Sequence, residues 1–466
     1  MKALNFSFAD FVFDTKLIER FDINGPRYTS YPTADRFTTD FSSQNAEDFL
    51  KERANNPKRA LSLYFHIPFC NTICFYCACN KIATKNHSES ALYLDYLAKE
   101  LALHDSFLKS DESRSVEQLH WGGGTPTFLS HNEMRQLMAL TKKHFQLQKN
   151  GEYSIEVDPR KVSVETVALL GELGFNRMSV GVQDLNDKVQ HAINRVQSEE
   201  ETQNVINAAR QNGFQSVSID LIYGLPHQTL QTFEDTIERV LKMRPNRLSI
   251  YNYAHLPQLF MPQRRIHTED LPTPQTKLAI LSMSIQKLIH AGYVFIGMDH
   301  FALPDDELAT AQREKRLHRN FQGYSTHKDC DMLAFGTSSI SKVGDSYFQN
   351  HKTQETYYAP LDHNQLPIAR GIALYADDIL RRDLIQQLMC HFALDFKAVE
   401  SQYSIDFKSY FAKELRALSE MQSAGLLELN HSEMRILPAG RMLVRVVAMV
   451  FDQYLQQSRA RYSKVI

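Results

Sequence analysis

From about residue 60 to residue 300 the sequence alternates short β-rich runs with amphipathic helical stretches, and this alternation constrains the fold more than any other feature. Successive βα units bury their strands in a parallel sheet with helices crossing over it. The strand candidates are Leu61 to Ile67, Val116 to Trp121, Tyr153 to Val157, Arg177 to Val182, Ser216 to Ile222 and Arg247 to Tyr253. Helical stretches lie between them, such as Ser88 to Leu108 and Thr229 to Met243, and Thr273 to Ala291 follows the last. In that final stretch Leu278, Leu281, Ile285 and Leu288 keep the three-and-four spacing of one buried helix face. A complete barrel has eight such units, so six leave two solutions open: a doubly wound sheet or an incomplete barrel. Further on, Tyr293 to Met298 reads as a strand and Asp305 to Leu317 as a charged helix. Gly323, Gly336 and Gly344 punctuate a segment that reads as loop-rich. After Arg370 the pattern is helical, with a hairpin at Leu426 to Leu437 and a final helix from Gly440. Residues 1–50, 51–364 and 365–466 are therefore expected to form an N-terminal extension, a central α/β body, and a mostly helical domain carrying a small β-wing.

Composition narrows the class. Hydrophobic residues make up 43% and charged residues 23% of 466, the proportions of a folded globular chain. Lys plus Arg number 52 against 54 Asp plus Glu, for a net charge of -2, which argues against a nucleic-acid partner. The apolar stretch Met442 to Phe451 is broken by Arg445 and falls short of the roughly 18 residues of a membrane span. Asp10 and Asp14 interrupt the N-terminal aromatic run and no cleavage site follows, so the expected compartment is the cytoplasm and no membrane partner is expected. Four of the six cysteines fall within ten residues, at Cys70, Cys74, Cys77 and Cys79, which points to metal or redox chemistry over a disulfide framework.

Cys70, Cys74 and Cys77 form C-x3-C-x2-C directly after the first expected strand, on the rim where parallel α/β folds gather ligands. Three thiolates can hold an iron–sulfur cluster while leaving one iron open for a small molecule. A zinc site completed by His66 or His87 is the competing reading. One βα unit later comes Trp121-Gly122-Gly123-Gly124-Thr125-Pro126-Thr127, whose glycines let backbone approach a ligand closely. Glu156, Gln183 and Asp220 end the next three strands. One such residue is commonly a cap or a surface group; three at corresponding positions point to ligand contacts.

The string His66-Ile67-Pro68-Phe69-Cys70 with Cys74-Phe75-Tyr76-Cys77 resembles the cluster signature of radical S-adenosylmethionine (SAM) enzymes, and the glycine run resembles their SAM-contacting segment. The resemblance extends over nearly the whole chain to the oxygen-independent coproporphyrinogen III oxidases. It rests on Gly25-Pro26-Arg27-Tyr28-Thr29-Ser30-Tyr31-Pro32-Thr33, Cys77-Ala78-Cys79-Asn80, Glu156-Val157-Asp158-Pro159-Arg160, Ile219-Asp220-Leu221-Ile222-Tyr223-Gly224-Leu225-Pro226, Tyr251-Asn252-Tyr253-Ala254-His255-Leu256-Pro257 and Gly297-Met298-Asp299-His300-Phe301-Ala302. It implies a partial (β/α)6 TIM-like barrel of radical SAM type, with residues 1–50 contributing to the cover of its active site. It also implies a 4Fe-4S cluster on Cys70, Cys74 and Cys77, and two SAM molecules. Tyr64, Gly123, Glu156, Ala254 and Ile340 would contact the SAM on the cluster. Tyr76, Gly124, Thr125, Gln183, Arg195 and Asp220 would hold the second. An ionised acid suits ribose hydroxyls, and the forked donors of Arg195 suit a carboxylate.

The implied reaction is oxidative decarboxylation of two propionates of coproporphyrinogen III to vinyl groups, giving protoporphyrinogen IX. An electron donor would reduce the cluster, SAM would be cleaved to a 5′-deoxyadenosyl radical, and a terminal acceptor would take one electron per round. The propionate carbon–hydrogen bond has no useful acidity, hence the radical. Cys79, Tyr64 and Glu156 are the expected catalytic residues, with Cys79 outside the ligand set and near the substrate, a packed thiol being its alternative. Arg27, Arg160, Arg264, Arg265, His255, His300 and Arg319 are candidate counter-charges for propionates. A monomer is expected. The alternative reading is a haem-binding trafficking protein on the same scaffold, but such relatives lack both the Cys-x-Cys-Asn extension and the Gly-Pro-Arg-Tyr segment.

Overall fold

The structure, a computed structural model, describes residues 6–55, 59–108, 112–327, 330–455, 462 and 464–466. Residues 1–5 of the expected extension lie outside the described residues. The six anticipated strands all form: β1 (Leu61–Ile67), β2 (Ser115–Gly123), β3 (Gln146–Val157), β4 (Arg177–Gln183), β5 (Ser216–Tyr223) and β6 (Arg247–Asn252). They pair in parallel, each with its neighbour in sequence. A doubly wound sheet reverses its strand order at a switch point, whereas consecutive crossovers of one hand keep every helix on one face. The uninterrupted order β1 to β6 therefore selects the incomplete barrel.

The crossover helices start where the sequence supplies caps. Ser130 and Ser198 each accept from the third backbone N–H of their helices, His131–His144 and Glu199–Gln211, while Glu133 and Glu201 reach back to the cap. Side chains divide by the period of two along each strand. Leu63, Phe65, Leu119, Trp121, Ile155, Val157, Met178, Val180, Ile219, Leu221, Leu248 and Ile250 are at most 3% exposed and form the layer under the helices. The opposite face carries Tyr64, His120, Ser154, Glu156, Ser179 and Asp220, which the parallel register brings side by side: Tyr64 with His120, His120 with Ser154, Glu156 with Ser179. An interior that is polar on one face has something other than apolar side chains to hold.

From residue 331 the segment read as loop-rich is instead part of this sheet, while Gly323 lies in a separate hairpin, His318–Asn320/Gly323–Ser325. β7 (Asp331–Phe335) pairs in parallel with β1, and β8 (Ile340–Val343), β9 (Ser346–Asn350) and β10 (Ile368–Ala373) continue it antiparallel. Its glycines mark tight turns between strands too short to show a period, which is why the pattern read as loop. The turn that follows β7 is tied down by buried Glu100, whose carboxyl accepts from Gly336 N (2.8 Å), Asn350 Nδ2 (2.6 Å) and the Tyr357 hydroxyl (2.5 Å). Burial outweighs these bonds and pushes the Glu100 carboxyl up to about 7 from 4.5. The folded protein thus retains a proton that the unfolded chain releases first, and stability falls as pH rises from about 4.5 to about 7, by on the order of 3 kcal/mol. Chemical denaturation across that window should show this slope in the wild type and a shallower one in Glu100→Gln.

By packing, residues 37–273 with 329–373 form one unit, and residues 1–36, 274–328 and 374–466 form another. The grouping departs from the linear boundaries at 50 and 364, because the helix Pro274–His290 and the hairpin Val294–Gly297/His300–Ala302 pack with the terminal segments. The anticipated β-wing is present in the second unit as Ala393–Asp395, Leu427–Leu429 and Glu433–Ile436. The helix expected from Gly440 is a 3-10 turn, Pro438–Leu443, passing into a short α-helix, Val444–Met449. Among the described residues no helix is long and apolar enough to cross a membrane.

Candidate active site

The cysteine segment is a closed loop clamped at its base. Phe69–Cys70 pairs with Ile82–Ala83, and the backbone bonds Ile82 N to Pro68 O (2.7 Å) and Thr84 N to Cys70 O (3.0 Å) hold the clamp. Side chains of the surrounding rim grip its carbonyls: Asn194 Nδ2 donates to Ile73 O (2.8 Å) and Gln263 Nε2 to Tyr76 O (3.0 Å). Cys70 and Cys74 are each 9% exposed, Cys77 is half-buried and Cys79 is exposed. The Cys70 sulfur meets the Thr125 hydroxyl at 3.5 Å, and burial pushes its thiol up to about 11. The Cys74 sulfur lies 3.5 Å from Arg195 Nη1 and 3.7 Å from Arg160 Nη2. At Cys77 a hydrogen bond from the Cys79 thiol outweighs burial and, with Lys81 nearby, draws the thiol down to about 6. Cys79 moves up correspondingly.

Gly123 and Gly124 bring the second strand's end against this loop. Gly123 has φ +115°, and a Cβ there would sit 2.7 Å from the His66 ring; at Gly124 it would sit 2.6 Å from Pro68 O, in the clamp itself. The Gly123 N–H donates to Glu156 Oε2 (3.0 Å), and His120 Nε2 lies 3.4 Å from Oε1. Burial alone raises the Glu156 carboxyl, but His120 and the Gly123 N–H outweigh it and hold the group low. His66 Nε2 faces the Asn80 carbonyl (2.9 Å), which can only accept, so Nδ1 is left to accept from the Tyr64 hydroxyl (3.1 Å). Burial keeps that imidazole neutral. The Tyr64 ring stacks on His120 with centroids 5.8 Å apart.

Across the barrel, Ser179 donates to Asp220 Oδ2 at 2.7 Å, and burial still pushes the Asp220 carboxyl up to about 6. Gln183 ends its strand at φ 70° beside a register shift and is buried. Arg195 is 6% exposed; Nη2 donates to Gly181 O (2.5 Å) and Nη1 approaches Asp158 (3.3 Å), while Nε is buried with no partner among the described residues. Tyr76 packs against Val189, Ile193, Leu225, Tyr253 and Ile266. Ala254 follows β6, and Ile340 opens β8.

A profile of the Radical SAM superfamily matches residues 64–240, and one of the HemN C-terminal domain matches residues 374–443. A relative from Pseudomonas aeruginosa named oxygen-independent coproporphyrinogen III oxidase is 49% identical over 458 residues, covering 97% of this chain and 98% of its own. The chain belongs to the oxygen-independent coproporphyrinogen III oxidases. An Escherichia coli member of this family is 48% identical over 455 residues, covering 97% of this chain and 98% of its own. The solved structure of coproporphyrinogen III oxidase from Escherichia coli, described as a radical SAM enzyme, matches with a TM-score of 0.91 at 46% identity, covering 96% of this chain and 100% of that one.

As a radical SAM enzyme, a coproporphyrinogen III oxidase calls for a 4Fe-4S cluster and SAM, and the residues fit both. The donor set is three thiols on one clamped loop, with a neighbouring strand end kept free of Cβ atoms. The histidines a zinc site needs are engaged elsewhere: His66 between Tyr64 and Asn80, and His87 stacked on Phe128 at 4.2 Å. The Nε of Arg195 and the Oδ1 of Asn252, both buried and without a partner among the described residues, are polar atoms that a bound ligand can satisfy.

The candidate counter-charges fall into two sets. Within the barrel unit, Arg264 Nε donates to Pro257 O (3.1 Å), the Arg265 guanidinium lies over the Phe75 ring (5.0 Å), and His255 Nδ1 meets the Tyr253 hydroxyl (2.9 Å). Arg160 is bound to Asp158 through Nε (2.9 Å) and Nη2 (2.6 Å). Within the other unit, Arg27 pairs with Asp299, and Arg319 and His300 both pack against Tyr324. Sequence reasoning did not single out His120, Ser154 or Ser179. Each stands on the interior face of a strand that also carries an anticipated residue or a neighbour of one, so the period of two was the available signal.

Proposed function

We propose that the enzyme converts two propionate side chains of coproporphyrinogen III to vinyl groups without oxygen, giving protoporphyrinogen IX. The observation that carries this reading is the clamped three-cysteine loop on a rim where acids from successive strands and a buried loop arginine converge. Cys70, Cys74 and Cys77 would hold the cluster, with three ligands leaving one iron available to SAM. When bound, cluster and SAM together supply a carbon-centred radical able to take an unactivated hydrogen atom. The substrate's β-carbon loses that hydrogen; carbon dioxide and one electron then leave, and the carbon–carbon double bond forms. A low-potential one-electron donor and a separate acceptor complete the balance.

The protein's residues bind, orient and exclude water. Tyr64, Gly123, Glu156, Ala254 and Ile340 face the SAM on the cluster. Glu156, held ionised by His120 and the Gly123 N–H, is an acceptor for hydroxyl or ammonium donors. The His66 hydrogen bond fixes the Tyr64 hydroxyl, so its ring presents a set surface. Tyr76, Gly124, Thr125, Gln183, Arg195 and Asp220 form a second SAM site. Cys79, exposed and two residues past the last ligand, handles protons or electrons beside the substrate and is not a cluster ligand. The protein works as a cytoplasmic monomer.

The test is anaerobic incubation of reconstituted protein with SAM, a chemical reductant, an electron acceptor and coproporphyrinogen III, followed by pigment analysis. Protoporphyrin after oxidation, with two carbon dioxide released per substrate, is expected. Unchanged coproporphyrin with a full cluster and intact SAM cleavage would overturn the proposal.

A further inference from the structure

One residue offered by the sequence as a propionate counter-charge is turned elsewhere. The Arg160 fork is occupied by its neighbour Asp158, which accepts from Nε with both oxygens (2.9 and 3.2 Å) and from Nη2 (2.6 Å). The side chains of Arg160 and Asp158 are 13% and 12% exposed. A guanidinium held in this way cannot offer its Nε/Nη2 edge to a substrate carboxylate without giving up the bonds that fix it. Its Nη2 is directed instead at the Cys74 sulfur, 3.7 Å away. Asp158 also takes Arg195 Nη1 at 3.3 Å, so one carboxylate orients two guanidinium groups and both reach the same thiol. Cys70 and Cys77 have different company: the Thr125 hydroxyl at one, Lys81 and Cys79 at the other.

Resting on the function proposed above, we infer that Arg160 is a positioning residue of the iron–sulfur cluster that acts through the Cys74 sulfur. Two guanidinium groups against one carboxylate leave a net positive charge beside this ligand. Charge and N–H groups aimed at a ligand sulfur favour the state that carries one more electron, and so raise the cluster's reduction potential. Arg195 is proposed above to hold SAM. Arg160 is locked by an adjacent residue and supplies a constant contribution. Asp158 sets the aim of both.

The experiment is an anaerobic redox titration of the reconstituted full-length protein without SAM, following the reduced cluster by electron paramagnetic resonance. Iron content and visible absorption are recorded on the same samples. Arg160→Gln is expected to bind four irons, keep its absorption and shift its midpoint downwards. The oxidised-to-reduced ratio at a fixed potential should rise about tenfold, equivalent to about 59 mV for a one-electron couple. Arg160→Lys, which keeps the charge and loses the fork, should shift less in the same direction. If the Gln variant holds no cluster, the Lys variant is read alone: a lowered midpoint supports the inference and an unmoved one overturns it. An unmoved midpoint in Arg160→Gln with a raised KM for coproporphyrinogen III overturns it in favour of a propionate contact. A wild-type protein that takes up no iron defeats the functional proposal itself, an outcome distinct from either.

Discussion

Replacing any one of Cys70, Cys74 or Cys77 by serine will cost the reconstituted protein its iron–sulfur absorption and its porphyrinogen turnover together. The reason lies in how firmly the loop is framed. Its base is clamped by Phe69–Cys70 against Ile82–Ala83, and Lys81 Nζ reaches back to both the Cys77 carbonyl (3.2 Å) and the Cys79 carbonyl (3.3 Å). A backbone held at this many points does not slide to bring Cys79 into the place of a missing ligand. The loss should exceed the roughly 10- to 100-fold typical of residues that only support a ligand. Cys390→Ala is the matched control: that thiol is 1% exposed within a helix, and its loss should leave the iron content and turnover unchanged. Four irons per chain in Cys77→Ser, measured with sulfide content on the same sample, would remove Cys77 from the ligand set.

Much of this site was legible because its chemistry coincides with local pattern. The strands are short runs with a strict period, and the groups at their C-terminal ends fall on the rim wherever the sheet is parallel. Glu156, one residue from the end of β3, can be located by counting along the strand, whereas Asp220 lies three residues inside β5. The polar interior face is equally legible: Ser-Val-Ser-Ile-Asp at 216–220 alternates as a half-polar strand does. What the sequence withheld is long-range. That Arg160 addresses Cys74, 86 positions away, depends on how β1 and β3 are set in the barrel, and no local spacing encodes it. The strands after residue 330 were hidden for another reason. Asp331–Phe335 is buried throughout, so it shows no alternation, and Ile340–Val343 and Ser346–Asn350 are too short for any period to emerge. The packing of 274–328 with both chain termini is a property of tertiary contact alone.

Asp220→Asn should separate the proposed second SAM site from the first. The Asp220 carboxyl touches none of the cysteines; its neighbours are the Ser179 and Ser249 hydroxyls, with the charges of Glu156 and Arg195 acting on it from farther off. The variant should keep its four irons while its binding stoichiometry falls from two SAM to one. An acceptor that is charged contributes about 1.5–3 kcal/mol per hydrogen bond, so turnover should drop by roughly ten- to a hundredfold. Burial pushes the wild-type carboxyl up to about 6, and only its ionised form is a full acceptor. Turnover and second-site affinity should then decline in the wild type as pH falls from 7 to 5, and the Asn variant should lack that limb. Stability must move the opposite way. Because burial raises this carboxyl from 3.8 to about 6, the free protein is most stable with Asp220 protonated and loses up to about 3 kcal/mol as pH rises through that window. At pH 7 the Asn variant should accordingly melt higher than the wild type while turning over more slowly. A variant that is both slower and less stable, or one that still binds two SAM, would show that Asp220 serves the barrel and not a ligand.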